Sequence, residues 1–163
     1  MQQHMQQPKI VMGKARMLVG KKLSMSLAND RTSELWRSFM PHRMKVANKV
    51  SDHMISMQVY RHSLQIGDVT QEFEKWAVIE VSHFEDIPDG MESFILNGGL
   101  YAVFDYKGLN TDTAIFMYIF KEWLPGSDYE LDKRPHFEIL GEKYKNGDPQ
   151  SEEEIWIPVR TKL

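Results

Sequence analysis

The sequence predicts an α+β fold in which a strand–helix–strand–strand module occurs twice, with pseudo-two-fold symmetry and a ligand groove between the halves. Two segments with helical spacing of apolar residues end in the same pattern of aromatic, two polar residues, aromatic, aliphatic and proline. The two prolines, Pro41 and Pro125, lie 84 residues apart. Strand candidates flank both helices in the same order, at offsets of 83, 83 and 78 residues. This agreement in order favours an internal duplication.

The first module begins with a strand at residues 18–23. A helix follows at about residues 29–48, with Asn29 or Thr32 as its N-cap and Leu35, Trp36 and Phe39 on its apolar side. Pro41 is expected to end or kink this helix, because proline lacks the backbone N–H. Alternating stretches at residues 53–60 and 75–82 predict the two strands that complete the module.

The second module repeats this order. A strand is predicted at residues 101–106 and a helix at about residues 111–124, with Thr111 as its cap. Two strands follow at residues 136–144 and 153–160. Each half alone has too small a core to be stable, so the halves are expected to pack as one domain. The expected organisation is a disordered N-terminus (1–8), a first half (about 9–84), a linker (about 85–98) and a second half (about 99–160) within a domain of residues 9–163.

Composition excludes several classes of function. The chain of 163 residues has a net charge of −3 and no basic cluster, which argues against direct nucleic-acid binding. It has no cysteine, and the spacing of its six histidines predicts neither a metal site nor a cofactor site. The longest apolar run, residues 114–120, is far shorter than the about 20 residues of a membrane span. We expect a cytoplasmic protein without membrane contact.

The alternation of side chains along the strands predicts one unusual face. Ile155, Ile157 and Val159 share one face of the last strand, and this face is expected to pack under the helices. The pairs Phe137/Ile139 and Ile55/Met57 are assigned to the same core. The other face then combines aromatic and acidic side chains: Tyr60, Trp76, Trp156, Glu80, Glu138 and Glu154. Aromatic walls with a carboxylate favour flat, lipophilic cations, although a solvated face with chance aromatics would show the same pattern.

The composition also allows two interpretations, because 11 methionines and 18 aromatic residues suit either a promiscuous apolar pocket or an ordinary core.

Several short strings in the sequence are more specific than its composition. They are Leu35-Trp36 through Phe39-Met40-Pro41, Trp76-Ala-Val-Ile-Glu80-Val81, Gly99-Leu-Tyr-Ala-Val-Phe104 with Lys107-Gly108, Trp123-Leu124-Pro125, Phe137-Glu138 and Glu154-Ile-Trp-Ile-Pro-Val159. Over about residues 10–160 they resemble the GyrI-like family, the effector-binding domains of AraC-type and MerR-type multidrug regulators, which also stand alone.

This resemblance implies a groove that binds bulky aromatic cations, with an acidic residue that recognises the charge. Glu154 and Glu138 are the first candidates for that residue, and Glu80 is the third. Some stand-alone members resemble hydrolases that open cyclopropane-bearing toxins with a Glu and a Tyr, for which Glu154 and Tyr101 are the candidates here. Tyr101 shares a face with Val103 and could instead belong to the core.

Three functional hypotheses follow. The first is binding of lipophilic cationic small molecules, with Tyr60, Trp76, Tyr101 and Trp156 as contacts beside the carboxylates. The second is hydrolysis of a strained electrophile. The third is a role in protein interaction, such as modulation of a topoisomerase, for which a charge of −3 is a mild acidic surface.

Overall fold

The computed structural model describes residues 6–163, which form nine antiparallel strands and two continuous helical segments. The strands are β1 (Lys9–Gly13), β2 (Arg16–Met25), β3 (Lys49–Val59), β4 (Phe73–Val81), β5 (Glu92–Leu96), β6 (Gly99–Lys107), β7 (Tyr129–Leu131), β8 (His136–Leu140) and β9 (Glu152–Thr161). The helix α1 (Thr32–Phe39) runs directly into a 3-10 helix (Met40–Lys45). The helix α2 (Ala114–Tyr118) continues through a π-helical turn (Ile119–Trp123) into α3 (Leu124–Gly126).

The order of the strands confirms the predicted α+β fold and its duplication. The sheet runs β1-β6-β9-β8-β3-β4-β2-β5, and β7 pairs with β9 beside this path. Strands β6, β9 and β8 of the second half therefore mirror β2, β4 and β3 of the first. The central strands β8 and β3 are paired with each other, so that one continuous sheet joins the two halves.

The strands β1 and β5 cross this division. β5 lies inside the expected linker of residues 85–98 and pairs with β2. β1 belongs to the first half of the sequence but pairs with β6 of the second half. Of residues 1–8, which are expected to be disordered, residues 1–5 lie outside the described residues. Residues 6–8 are described, and the Gln6 carbonyl accepts a hydrogen bond from the Tyr118 hydroxyl at 2.9 Å.

The helices begin and end near the predicted positions. The α-helical part of the first ends at Phe39, and the chain continues past Pro41 as a 3-10 helix. Neither predicted cap is used, because aspartate side chains bind the first free N–H groups instead. Asp30 Oδ1 accepts a hydrogen bond from Thr32 N at 2.9 Å, and Asp112 Oδ1 accepts one from Ala114 N at 2.9 Å. These bonds satisfy donors that have no partner within the helix.

The sheet is apolar on both faces. On one face, each helix covers its own half, and these helix-side cores include Phe39 with Ala77 and Ile79 in the first half, and Ile119 with Ile155 and Ile157 in the second. On the opposite face, buried side chains of both halves form one cluster, which we call the aromatic interior. Its buried members are Leu18, Ile55, Met57, Trp76, Val78, Leu96, Tyr101, Val103, Phe137 and Trp156.

Because Leu96 near one end of the sheet and Tyr101 near the other belong to the same cluster, the sheet curls until its two halves face each other. The site described below lies between them. No helix within residues 6–163 is long and apolar enough to span a membrane.

Candidate functional site

Three rings form the centre of the aromatic interior. Phe137 and Trp156 are directly paired on β8 and β9, and their rings stack with centroids 5.1 Å apart. The Tyr101 ring of β6 meets both edge-on, at 5.3 Å and 5.4 Å. Tyr101 is 1% exposed and Trp156 is 9% exposed. The interior is therefore closed, and a ligand that uses these ring faces must open the contacts that cover them.

Each half carries a glutamate two residues before its tryptophan, and each glutamate accepts a hydrogen bond from that indole N–H. The Trp76–Glu74 distance is 3.3 Å and the Trp156–Glu154 distance is 3.1 Å. The two pairs lie 80 residues apart, on the matching strands β4 and β9. Sequence reasoning missed Glu74, although the repeated Glu-x-Trp string was a signal that could have found it.

The two carboxylates differ in their ionic partners. Lys22 lies opposite Trp76 in the β2–β4 register, with its Nζ 3.3 Å from Glu74 and 5.2 Å from the centroid of the Trp76 ring. The matching position opposite Trp156 holds Val103. Within the described part of the chain, Glu154 takes part in none of the ion pairs. Its carboxylate is thus oriented by an indole and not neutralised by a cation.

The third glutamate of this face is already paired. Glu80 accepts a hydrogen bond from Arg16 at 2.7 Å, and both side chains are 14% exposed. Lys14 lies 3.8 Å from the other carboxylate oxygen, but it is largely exposed. The Arg16 guanidinium lies 5.3 Å from the centroid of the Trp156 ring and 5.5 Å from that of Phe137.

The hydroxyl of Tyr101 is buried without a hydrogen-bond partner in the described structure. Burial raises the pKa of Tyr101, against the opposing charges of Arg134 and Arg16. The Arg134 guanidinium lies 4.6 Å from the centroid of the Tyr101 ring. Asp132 and the backbone carbonyls of Leu100 and Val159 hold it in place. A buried group that could donate or accept a hydrogen bond is therefore left without a partner of good geometry, beside the Arg134 guanidinium.

Two predicted site residues lie on the opposite, helix-side face of the sheet, so their expected place beside Trp76 and Trp156 was wrong. Tyr60 contacts Phe73 and His136, with ring centroids 5.3 Å and 5.2 Å away. Burial raises the pKa of Tyr60 to about 12 and lowers that of His136 to about 4. Glu138 is paired with Ile155, which belongs to the helix-side core.

The error has a physical cause in the two central strands. Alternation fixes which residues of a strand share a face. In a sheet with an apolar core on each side, it does not say which face of the strand meets the helices. The sequence predicts the helix side for both Ile55/Met57 and Phe137/Ile139. The structure places all four against the aromatic interior instead. The helices cover the flanking strands of each half, so β3 and β8 carry polar residues on the helix side.

Glu138 has an acidic neighbour there. Burial and the adjacent Glu138 carboxylate raise the pKa of Glu153 to about 10. One oxygen of Glu153 is buried without a partner. Burial and the neighbouring carboxylate thus favour the protonated form of Glu153, which lies on the face away from the rings.

The structure thus brings five predicted residues to one face: Trp76, Tyr101, Trp156, Glu80 and Glu154. Among residues 6–163, no three His, Asp or Glu side chains are grouped in a way that could hold a metal ion. The groups available in this interior are therefore aromatic rings, carboxylates, one unpaired hydroxyl and the guanidinium groups of Arg16 and Arg134.

Comparison with known proteins was made at the levels of sequence and structure. The family model described as "Cass2: Integron-associated effector binding protein" matches residues 9–159, which confirms the resemblance to GyrI-like effector-binding domains. None of the curated proteins matches the chain.

Several solved structures share the fold. An integron cassette protein from the mobile metagenome of Vibrio cholerae, VCH_CASS2, is 16% identical with a TM-score of 0.65, over 95% of this chain and 97% of that one. SAV2435, solved with bound tetraphenylphosphonium, is 17% identical with a TM-score of 0.69, over 95% and 94%. The C-terminal domain of EcmrR is 13% identical with a TM-score of 0.70, over 96% and 98%.

Proposed function

The chain belongs to the Cass2 family of integron-associated effector-binding proteins, and on that premise we propose that it binds lipophilic aromatic cations between its two halves. The rings of Trp156, Phe137 and Tyr101 supply apolar area and attract positive charge. Glu154 is the counter-charge, and Trp76 lines the first half of the same interior.

The observation that carries this proposal is the state of Glu154. Its oxygen is held by the Trp156 indole at 3.1 Å, beside stacked rings, and no described cation neutralises it. Glu80 is engaged by Arg16 and Glu74 by Lys22. A cation that reaches Glu154 gains a charge-assisted contact with a carboxylate that is not already in an ion pair. That SAV2435 was solved with tetraphenylphosphonium, an aromatic cation, supports this ligand class.

The test is a titration followed by tryptophan fluorescence. Tetraphenylphosphonium is the cation, and triphenylphosphine oxide is the neutral control. We expect saturable quenching by the cation, and an affinity at least about tenfold weaker in Glu154→Gln, equivalent to about 1.4 kcal/mol. Binding of the neutral compound should be similar in both proteins.

Glu74→Gln is the matched control, because Glu74 makes the same hydrogen bond to its tryptophan in the other half. It should leave the affinity for the cation within about twofold. Equal weakening by the two variants, or by neither, would contradict the role of Glu154.

A second function is favoured by the unpaired Tyr101 hydroxyl. In a hydrolase that opens a strained ring, Glu154 would accept a proton from water while Tyr101 donates one to the carbon that leaves, so that water adds across the broken bond. Tyr101→Phe keeps the ring and removes only the hydroxyl. Loss of multiple turnover of a cyclopropane substrate with unchanged binding would support this function, whereas a wild-type protein that forms no product would exclude it for that substrate.

A further inference from the structure

Arg16 belongs to the first half of the molecule, but its charged group lies on the rings of the second. It is the first residue of β2 and pairs with Leu96 of β5. Its guanidinium nevertheless lies over Trp156 and Phe137, at 5.3 Å and 5.5 Å from their centroids. The side chain thus bridges the two halves across the closed interior.

The surroundings of Arg16 are those expected around a bound cation. A planar guanidinium lies on aromatic rings, and a carboxylate, Glu80, accepts its hydrogen bond at 2.7 Å. Because both charged side chains are 14% exposed, this pair is shielded from solvent more than a surface ion pair. Rings and a carboxylate are also the groups through which a cationic ligand would be bound.

The two interior arginines are held differently. The guanidinium of Arg134 is fixed by Asp132 and by two backbone carbonyls. Within residues 6–163, Arg16 has a single hydrogen-bond acceptor, the Glu80 carboxylate. Another cation placed on the same rings can replace every interaction that Arg16 makes there. The long side chain of Arg16 can then extend into water, where a guanidinium is readily solvated.

We propose that Arg16 is an intramolecular ligand, which fills a cation site formed by Phe137, Trp156 and Glu80 and which an incoming cation must displace. The chemical class that fits this site is a guanidinium or an amidinium on an apolar body, because it matches the shape and charge of the group already there. This inference rests on the proposed function, since it assigns a competitor to the same interior.

The first test removes the Arg16 side chain and supplies a guanidinium group as a free ligand. Arg16→Ala is titrated with ethylguanidinium chloride in the millimolar range, and tryptophan fluorescence and the Tm are measured. We expect ethylguanidinium to quench the fluorescence of Arg16→Ala saturably and to raise its Tm. Binding to the wild type should be at least about tenfold weaker. The double variant Arg16→Ala/Glu80→Gln should show neither the quenching nor the rise in Tm. Ethylammonium chloride at equal concentration controls for ionic strength.

Arg31→Ala is the matched control. It removes an arginine that forms a 2.7 Å ion pair with Glu34 on the surface, away from the aromatic interior. It should show no saturable response to ethylguanidinium. A lack of saturable binding to Arg16→Ala, or equal binding to Arg31→Ala, would overturn the inference.

The second test uses Arg16→Met, which keeps an unbranched apolar side chain against the rings and so remains informative if the alanine variant fails to fold. We expect it to bind tetraphenylphosphonium at least about tenfold more tightly than the wild type. Equal affinity would overturn the role of Arg16 while the proposed function stands. If tetraphenylphosphonium binds neither protein while ethylguanidinium binds Arg16→Ala, the proposed function fails and the cation site stands.

Discussion

The two halves of the molecule carry the same Glu-x-Trp string on matching strands but surround it with different side chains. In the first half, Trp76 has Lys22 on one neighbouring strand and Met57 on the other. In the second half, Trp156 has Val103 and Phe137 at these positions. The first half therefore neutralises its glutamate internally, whereas the second adds a ring and leaves the carboxylate without a cation.

One further position widens this difference. Tyr101 of the second half corresponds in register to Gly20 of the first. A Cβ atom at Gly20 would lie 1.9 Å from the carbonyl oxygen of Ala77, so no side chain fits there. The two halves thus share a framework, and only the second combines stacked rings with a carboxylate that no described cation pairs.

The largest expected effect follows from removal of the central ring. Trp156→Ala should lower the free energy of unfolding by about 3–5 kcal/mol, because it deletes the stack with Phe137, the contact with Tyr101 and the support of Arg16. Trp76→Ala should lie at the lower end of this range, since the Trp76 ring contacts Phe94 and Lys22 of its own half. Urea unfolding measures both, and an equal or larger loss in Trp76→Ala would contradict the central position of Trp156.

The second prediction makes the first half resemble the second. Lys22→Met removes the cation from Glu74, and we expect the number of tetraphenylphosphonium ions bound per chain, measured by calorimetry, to rise from one to two. Lys21→Met is the control, because Lys21 lies on the other face and bonds to Ser38 at 2.9 Å. If the stoichiometry remains one, a free carboxylate beside an indole is insufficient to bind the cation, and binding also requires the rings of Phe137 and Tyr101.

The third prediction concerns pH. In β4 the position that matches Glu153 is Phe73, so the first half has no titrating group there. The pKa of Glu153 is raised from 4.5 to about 10, so the folded chain binds more protons than the unfolded chain between these values. Stability should therefore fall as pH rises through this window.

Glu153→Gln should remove this dependence. At pH 8 we expect the free energy of unfolding of Glu153→Gln to exceed that of the wild type by about 1–3 kcal/mol, with a Tm increase of about 2–4 °C per kcal/mol. At pH 4 the two proteins should be nearly equal in stability. Glu152→Gln, at the adjacent position of β9, is the control. A Glu153→Gln protein less stable than the wild type at pH 8 would be inconsistent with a protonated Glu153.

The smallest effect compares the starts of the two helices. Asp30 accepts hydrogen bonds from both the backbone and the hydroxyl of Thr32, whereas Asp112 accepts one from the backbone of Ala114. Asp30→Ala should lower stability by about 1 kcal/mol and Asp112→Ala by about 0.5 kcal/mol. Thermal unfolding at pH 7 measures the difference, and the reverse order would show that the Thr32 hydroxyl adds nothing.

The sequence was sufficient for the two helices and six strands of the duplicated module, because each of these left a local signal, whereas β1, β5 and β7 were not predicted. Helical spacing before Pro41 and Pro125 located both helices, and alternation in β4 and β9 separated Trp76 and Trp156 from the helix-side core correctly. β5 was missed because its five residues lie between turn-forming segments that resemble a linker.

The candidate site was predicted in part. Trp76, Trp156, Glu80, Glu154 and Tyr101 follow from alternation on strands whose other face is plainly apolar. Tyr60 directly follows β3 and Glu138 lies on β8; on these central strands alternation separates a polar from an apolar face, but it does not say which of the two meets the helices. Arg16 has no signal in the sequence, because β2 lies four strands away from β9 in the sheet and only the curled sheet brings its side chain onto Trp156.

Sequence by itself determined the elements of the two modules, their repetition and the residues that share a face within each of those strands, since these depend on local backbone geometry. Tertiary structure alone decided which face of the central strands meets the rings, and which charges meet across the interior. Curling of the sheet brings Arg16 onto Trp156 and leaves Glu154 without a cation, and this depends on contacts between residues about 140 positions apart in the chain. No local pattern records such contacts.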